Sequence, residues 1–330
     1  MRWNTVNIPF IKCHGSGNDF ILIDEIEHPL NFTEKQREQL SLLLCNREEG
    51  IGSDGILFVL PSDQAEGQMR MFNSDGTEAE MCGNGLRCVA RHMIEKTGNP
   101  DISIETKEAV LAVSRVEPIY PEIDTFSVAI EPVSFSVDSL PMNFAEPEAV
   151  DDNIPQISTK RTFTALSVPN PHIVTIVDEV DQEELLEVGQ LANQVKDVFP
   201  NGVNVSFVKQ LEKNKIFAQT YERGVGLTNA CGTAMSASSL VSTILGSNDK
   251  DTPIVVINKG GLVHCVVKEH DGSHSISLQG NGTNVYQADV EVNESMDGYS
   301  LSKKHWFEEE NKAYEQLQTY AARQIGGDAS

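Results

Sequence analysis

The chain is poor in basic residues and has no long apolar run. Its 330 residues include 25 Lys and Arg against 49 Asp and Glu, which gives a net charge of −24. Nucleic acids and anionic membrane surfaces attract clustered Lys and Arg, so we expect neither as a partner. Apolar runs such as Ile56–Leu60 are too short to cross a bilayer, and the first twenty residues lack the apolar core of a signal peptide. We therefore expect a cytoplasmic protein.

Cysteine is also scarce, and two of the six cysteines stand apart from the others. Six cysteines in so long a chain do not make a disulfide framework. Cys82 and Cys231 lie in similar glycine-flanked segments, Met81–Gly85 and Ala230–Ala234, each after a strand-like run and before a helical pattern. The remaining four are predicted to be structural: Cys13, Cys45, Cys88 and Cys265.

The chain contains a divergent internal repeat with an offset of about 150 residues. Four pairs keep the same order and nearly the same offset: Asn18 with Asn170, Asp54 with Asn204, Phe72 with Tyr221, and Cys82 with Cys231. The repeat predicts an α/β (α+β) fold with two similar domains, related by a pseudo-twofold axis that places the cysteines across one cleft. We assign residues 1–130 plus 285–330 to the first domain and 131–284 to the second.

Helix signals place both cysteines at helix starts. Apolar residues at helical spacing follow each cysteine, and Gly98 and Gly246 are positioned to end the two helices. A capping box, Thr33–Gln36, opens another helix. The last segment, residues 302–325, is predicted to be an extra helix with Trp306, Ala313, Leu317 and Ala321 near one face.

A pair of cysteines at helix starts suggests proton transfer at carbon. A thiolate on one face of an α-carbon and a thiol on the other can exchange its proton without a cofactor. The helix N-terminus is expected to lower a thiol pKa and to bind a carboxylate. We therefore expect no cofactor and no metal. A zinc site of Cys82, Cys88 and His92 is the alternative, but its spacing fits no standard site.

Taken together, five motifs resemble the diaminopimelate epimerase family over roughly residues 8–290. They are Cys13–Phe20 (CHGSGNDF), Phe72–Gly76 (FNSDG), Met81–Cys88 (MCGNGLRC), Asn170–His172 (NPH) and Tyr221–Gly224 (YERG) followed by Ala230–Thr233 (ACGT). The resemblance implies a homodimer whose domains each wrap a curved sheet around a central helix, with the active site between the domains.

The resemblance also implies roles for individual residues. Cys82 and Cys231 would be the acid–base pair, with His172 and Glu222 beside them. The amides of four residues would hold the α-carboxylate: Gly83, Asn84, Gly232 and Thr233. Six residues would contact the rest of the amino-acid substrate: Asn18, Asn73, Asn170, Asn204, Glu222 and Arg223. Arg suits a carboxylate because its fork can bind both oxygens.

Two other functions stay open at this point. A related racemase could act on another polar amino acid, such as histidine, using part of the asparagine set. A non-catalytic metabolite-binding or zinc-binding protein is a more remote alternative. The chain also departs from the family pattern at Gly55, where some members carry Gln, and at Ala234, where Gly is common. These departures bear on substrate detail more than on reaction type.

Overall fold

The computed structural model describes residues 5–79, 81–293 and 295–326, and the chain forms two compact units. The first unit runs to Val128 and includes Gly280–Gln316; the second comprises Ala129–Gln279 and the residues from Leu317 onward. The predicted domain limits, whose outer ends lie outside the described residues, stay a prediction. They assign the whole last segment to the first domain, whereas residues from Leu317 group with the second unit.

The described residues form strands, α-helices and one 3-10 helix, Val137–Ser139. The strands are β1 Thr5–Gly15, β2 Asn18–Asp24, β3 Gly55–Leu60, β4 Gly67–Asn73, β5 Glu78–Ala79, β6 Asp101–Glu105, β7 Val110–Val116, β8 Thr125–Ile130, β9 Asp152–Asn153, β10 Thr162–Ser167, β11 Pro171–Ile176, β12 Asn204–Glu212, β13 Lys215–Glu222, β14 Gly226–Thr228, β15 Pro253–Asn258, β16 Gly261–His270, β17 Ser273–Asn281, β18 Thr283–Asn293 and β19 Tyr299–Trp306. The helices are α1 Glu34–Leu44, α2 Gly83–Thr97, α3 Gln182–Gln194, α4 Gly232–Ile244 and α5 Glu308–Gln324.

Both units repeat one topology. In the first, β2 and β3 run parallel with α1 between them, β4 pairs antiparallel with β3 and β5, and β6 pairs parallel with β4. In the second, β11, α3, β12, β13, β14 and β15 repeat the same elements and the same pairings. The hairpins β6–β7 and β15–β16 then close the series. Two similar domains of mixed α/β structure are therefore confirmed.

Each unit surrounds one buried helix. Helix α2 packs against β1, β2, β3, β4, β6 and β7, and α4 packs against the equivalent strands β10, β11, β12, β13, β15 and β16. All residues of α4 from Gly232 to Thr243 are buried, as expected for a helix enclosed by a sheet. The curved sheet around a central helix is confirmed in each unit.

Helices α1 and α3 cover the outer faces of these sheets. Thr33 caps α1 by accepting from the Gln36 amide, and the Gln36 side chain accepts from the Thr33 amide, so the capping box is confirmed. Leu40 and Leu44 of α1 are fully buried with Ile21 and Phe58 of the sheet. Helix α3 buries its apolar side in a separate core of the second unit. Within the described residues, the helices are too short or too polar to span a membrane.

The prediction of one helix over residues 302–325 is wrong in its first part. Tyr299–Trp306 is strand β19, which pairs antiparallel with β18. Trp306 is 49% exposed, and the ammonium of Lys304 lies over the rings of both Trp306 and Tyr286. The helix begins only at Glu308, where an acidic first turn complements the helix N-terminus. Its predicted inner positions are confirmed as buried: Ala313, Leu317 and Ala321.

Candidate active site

Each unit places its cysteine at the N-cap of the buried helix. Cys82 has extended backbone angles, φ −147° and ψ 102°, and Cys231 has φ −127° and ψ 114°. The residues that follow open α2 and α4, where the first amides have no partner inside the helix. These amides are those of Gly83, Asn84, Gly232 and Thr233. An N-terminal turn of this kind can bind a carboxylate.

In the first unit, Asn18 and Asn84 converge on Cys82. The Asn18 Oδ1 atom lies 3.8 Å from the Cys82 sulfur and accepts a hydrogen bond from Asn84 Nδ2 at 3.2 Å. The amide of Gly85 donates to the Cys82 sulfur at 3.4 Å. Three of the predicted site residues are therefore in direct contact.

Asn73 does not join this cluster in the structure. Its side chain donates to Thr77 Oγ1 at 3.0 Å, within the turn that follows β4. Its strand neighbour is Gly55, because β3 and β4 pair these two residues. A Cβ on Gly55 would lie 2.5 Å from the Phe72 carbonyl oxygen, so a side chain there would require the two strands to separate.

In the second unit, His172 is the centre of the predicted set. It is fully buried, and its Nε2 lies 3.0 Å from Asn170 Oδ1, 3.1 Å from Thr233 Oγ1 and 3.3 Å from Asn204 Nδ2. Asn204 Oδ1 in turn accepts from the backbone amide of Arg223 at 2.9 Å. Among the described residues, none hydrogen-bonds His172 Nδ1.

Glu222 and Thr233 flank the second cysteine. The Cys231 thiol hydrogen-bonds the Glu222 carboxylate and lies 3.4 Å from Thr233 Oγ1. The Arg223 guanidinium reaches the Asn201 carbonyl at 3.2 Å. The second unit therefore holds one contiguous cluster of predicted site residues: Asn170, His172, Asn204, Glu222, Arg223, Cys231 and Thr233.

Burial keeps both thiols protonated. It raises the pKa of Cys82 to about 11, against the opposing effect of the Gly85 amide. It also raises the pKa of Cys231 well above its usual value, and the negative charge of Glu222 adds to this rise. The first amides of each helix lower the pKa of its cysteine, as expected, but desolvation of the thiolate is larger and the net pKa is raised.

Two buried histidines are held neutral. Burial lowers the pKa of His172 to about 3, with a further contribution from Arg223, and lowers the pKa of His14 in the first unit to about 4. The unfolded chain binds these protons near pH 6.5, whereas the folded chain binds them only near pH 3 to 4. The contribution of these groups to folding stability is present above about pH 6.5 and is lost as the pH falls from about 6.5 towards 3 to 4.

We therefore expect His172→Gln to reduce the loss of unfolding free energy between about pH 7 and pH 4.5. A pKa difference of one corresponds to about 1.4 kcal/mol, so the slope difference is measurable by urea denaturation. His270→Gln is the control, because the His270 side chain is 92% exposed. If the unfolding free energy falls with pH equally in His172→Gln, in wild type and in the control, this prediction is contradicted.

Sequence reasoning missed Arg87 and Asp54 as site residues. Arg87 is fully buried, and its Nη2 donates to Asn84 Oδ1 at 3.0 Å and to Ser16 Oγ at 2.9 Å. The carboxylate of Asp54 accepts from Asn18 Nδ2 at 2.6 Å. Arg87 lies three positions after Asn84 on α2, so the two side chains are neighbours on the helix. The sequence signal for Arg87 is therefore a charged residue on a buried helix, next to a predicted site residue.

The arrangement does not favour the zinc alternative. Among the residues that the structure describes, no group of three or more His, Cys, Asp or Glu side chains is placed to hold a metal ion. His92 Nε2 instead lies 2.8 Å from the carboxylate of Asp24, which also accepts from Lys96.

Comparisons with known protein sequences agree with one another. The family model described as diaminopimelate epimerase matches residues 10–117 and 164–285. The chain is 42% identical over 320 residues to the diaminopimelate epimerase of Clostridium acetobutylicum, covering 96% of each chain. It is 43% identical over 290 residues to that of Listeria innocua, covering 86% of this chain and 88% of the relative.

Solved structures support the fold at much lower identity. A phenazine biosynthesis protein of the PhzF family from Bacillus anthracis matches with a TM-score of 0.63 at 14% identity, covering 86% of this chain and 99% of that one. A hydroxyproline epimerase from Agrobacterium vitis matches with a TM-score of 0.60 at 15% identity, covering 89% and 93%. At these identities the likeness concerns the fold alone.

Proposed function

The chain belongs to the diaminopimelate epimerase family, and we propose that it interconverts LL- and meso-diaminopimelate in lysine and peptidoglycan precursor synthesis. The observation that carries the proposal is the repeated cysteine site. Each unit holds a cysteine at the N-cap of a buried helix, beside polar side chains of the predicted set. A racemase for another amino acid would use the same thiols, so the substrate depends on the distal residues.

The proposed reaction removes a proton from one face of the α-carbon and delivers a different proton to the opposite face. A thiolate on one face removes the α-proton, and the electron pair of the broken C–H bond moves into the α-carboxylate as an enolate. The thiol on the other face donates its proton to form the new C–H bond and becomes the thiolate. The enolate electron pair returns to the α-carbon to form that bond, and the two cysteines leave the reaction with exchanged protonation states.

The neighbours of the two thiols suggest their starting states. Glu222 contacts Cys231 and is a carboxylate, so it can take the thiol proton. Asn18 beside Cys82 is an amide that accepts a hydrogen bond but cannot take the proton. We therefore propose that Cys231 is the base and Cys82 the acid when substrate first binds. In this proposal His172 orients the Cys231 thiol through Thr233, which contacts both residues.

The remaining predicted residues would bind the substrate. The first amides of α2 and α4 would hold the α-carboxylate and stabilise the charge that develops there. The distal ammonium and carboxylate would be held by the asparagine side chains and by the Arg223 fork. With Glu222, the full set of predicted substrate contacts is Asn18, Asn73, Asn170, Asn204, Glu222 and Arg223.

The wider expectations belong to the same proposal. We propose that the protein works as a homodimer in the cytoplasm, with a small amino-acid substrate and no nucleic-acid or membrane partner. The net charge of −24 supports the absence of anionic partners. In the proposed mechanism the thiols are the proton carriers and no cofactor takes part.

Proton NMR in deuterated water tests this function. With LL-diaminopimelate and reduced protein, we expect loss of the α-proton signal and appearance of the meso isomer. L-Lysine lacks the distal carboxylate and L-histidine has a different distal group, so both should exchange at least about 100-fold more slowly. Faster exchange with histidine would favour the alternative racemase, and exchange with none of the three by folded protein would reject the proposed activity.

A further inference from the structure

Four side chains of the first unit form a continuous hydrogen-bonded chain that passes beside Cys82. Arg87 Nη2 donates to Asn84 Oδ1 at 3.0 Å, and Asn84 Nδ2 donates to Asn18 Oδ1 at 3.2 Å. Asn18 Nδ2 donates to Asp54 Oδ2 at 2.6 Å. The two asparagines in the middle of this chain are predicted substrate contacts.

The residues at the two ends of this hydrogen-bonded series fix the direction of every hydrogen bond in it. A guanidinium has only donors, so the Asn84 group that faces Arg87 must be its oxygen. A carboxylate has only acceptors, so the Asn18 group that faces Asp54 must be its nitrogen. Asn84 then presents its nitrogen to Asn18, and Asn18 presents its oxygen to Asn84 and to Cys82. Reversing either amide would place two donors or two acceptors against each other.

Both ends are themselves held in place. Asp54 Oδ2 also accepts from the Asp19 amide at 3.0 Å, and Asp54 Oδ1 accepts from Arg47 at 2.8 Å. Arg87 Nε donates to the Asn281 carbonyl at 3.0 Å, and its Nη2 contacts Ser16. The hydrogen-bonded series therefore has an anchored residue at each end, Asp54 and Arg87. These two residues decide the orientation of the two amides between them.

We propose that Asp54 and Arg87 are positioning residues that orient Asn18 so that its Oδ1 faces the Cys82 sulfur and holds that cysteine as the thiol. The orientation follows from the contacts alone, and its catalytic meaning rests on the proposed function. An amide oxygen at 3.8 Å can accept from the thiol, whereas a reversed Asn18 would offer a donor that favours the thiolate.

Charged groups around Cys82 act in the same region and must be separated from this effect. Arg87 lowers the pKa of Cys82 and the neighbouring Cys88 thiol raises it. Behind Asn18 lie the paired charges of Asp54, Arg47 and Asp19. A test that changes Asp54 therefore needs a second variant that loses the same charge but retains an acceptor.

Asp54→Ala and Asp54→Asn form such a pair. Both remove one negative charge, but the asparagine introduced by Asp54→Asn can keep its oxygen toward Asn18 and Asp19 while its nitrogen faces Arg47. The Arg47 side chain is 59% exposed and can turn into solvent.

Arg87 still orients Asn84 in both variants, so Asp54→Ala frees only the Nδ2 end of Asn18 and lets that amide reverse part of the time. We expect the pKa of Cys82, measured from the pH dependence of alkylation by iodoacetamide, to be lower in Asp54→Ala than in Asp54→Asn by a few tenths to about one.

Peptide mass spectrometry reads Cys82 and Cys231 in the same sample, so Cys231 serves as the internal reference and should not change. Equal Cys82 profiles in the two folded variants would overturn the proposal. Neutron diffraction of the wild-type protein gives a second test that does not depend on variant folding: deuterons are expected on the Asn18 atom facing Asp54 and on the Asn84 atom facing Asn18. The opposite assignment for Asn18 would also overturn it.

Neither measurement depends on turnover, so the outcome is separable from that of the proposed function. If diaminopimelate is epimerised, Asp54→Ala should lower kcat about tenfold more than Asp54→Asn does, with circular dichroism confirming that both variants are folded. Equal kcat values with unequal alkylation profiles would restrict the positioning role to the resting thiol. An inactive wild-type protein with unequal profiles would reject the function and keep the network.

Discussion

Replacing either Cys82 or Cys231 with serine is expected to lower kcat for epimerisation by at least about 10³-fold in both directions. A serine hydroxyl is a far weaker acid than a thiol, so the introduced serine could neither form the base nor return a proton efficiently at either position. Each proposed cysteine serves one face of the α-carbon, and the reaction needs both faces. One intact cysteine therefore does not sustain turnover.

The chain supplies a matched control for each substitution. Cys45 in the first unit and Cys265 in the second are buried and lie outside the candidate site. Cys45→Ala and Cys265→Ala should lower stability while leaving kcat within about threefold of wild type, because they remove packing rather than a proton carrier. The measurement is coupled assay or NMR turnover from LL and from meso substrate. Retention of about a tenth of wild-type kcat by Cys82→Ser or Cys231→Ser would remove that cysteine from the proposed role.

Local signals in the sequence were sufficient where neighbouring residues decide the structure. The Thr33–Gln36 capping box needs only four consecutive residues, and it opens α1 as predicted. Gly98 ends α2 with a left-handed φ of 71°, which glycine adopts without steric cost. The repeat offset also predicted the shared topology, because equivalent motifs occupy equivalent elements in both units. These features depend on short-range chemistry or on counting along the chain.

Features that depend on distant partners were not predictable in the same way. Residues 302–306 carry a pattern compatible with a helix, but β18 offers a strand edge and the segment pairs with it. Asn18 lies 36 positions from Asp54 and 66 from Asn84, so the orientation of its amide is set only after folding. The thiol pKa values are a third case. Helix position alone predicts a lowered thiol pKa, whereas burial of Cys82 and Cys231 outweighs the helix amides and raises it.

Glu222→Gln is expected to separate the charge of Glu222 from its capacity to accept a proton. The carboxylate raises the pKa of Cys231 by repelling the thiolate and by accepting its hydrogen bond. Glutamine has nearly the same size and no charge, so the pKa of Cys231 should fall and its alkylation at neutral pH should become faster. On charge alone, the variant would therefore be expected to gain thiolate and activity.

The proposed role predicts the opposite change in turnover. If Glu222 takes the Cys231 proton when substrate binds, its amide replacement removes the acceptor, and kcat at neutral pH should fall about 100-fold. Some activity should return as the pH rises, since hydroxide then generates the thiolate. Glu183→Gln, an exposed change on α3 of the same unit, is the control and should leave both alkylation and kcat unchanged. Faster alkylation together with slower turnover is the signature of a proton acceptor, whereas wild-type turnover in Glu222→Gln would leave Glu222 with a purely electrostatic influence on Cys231.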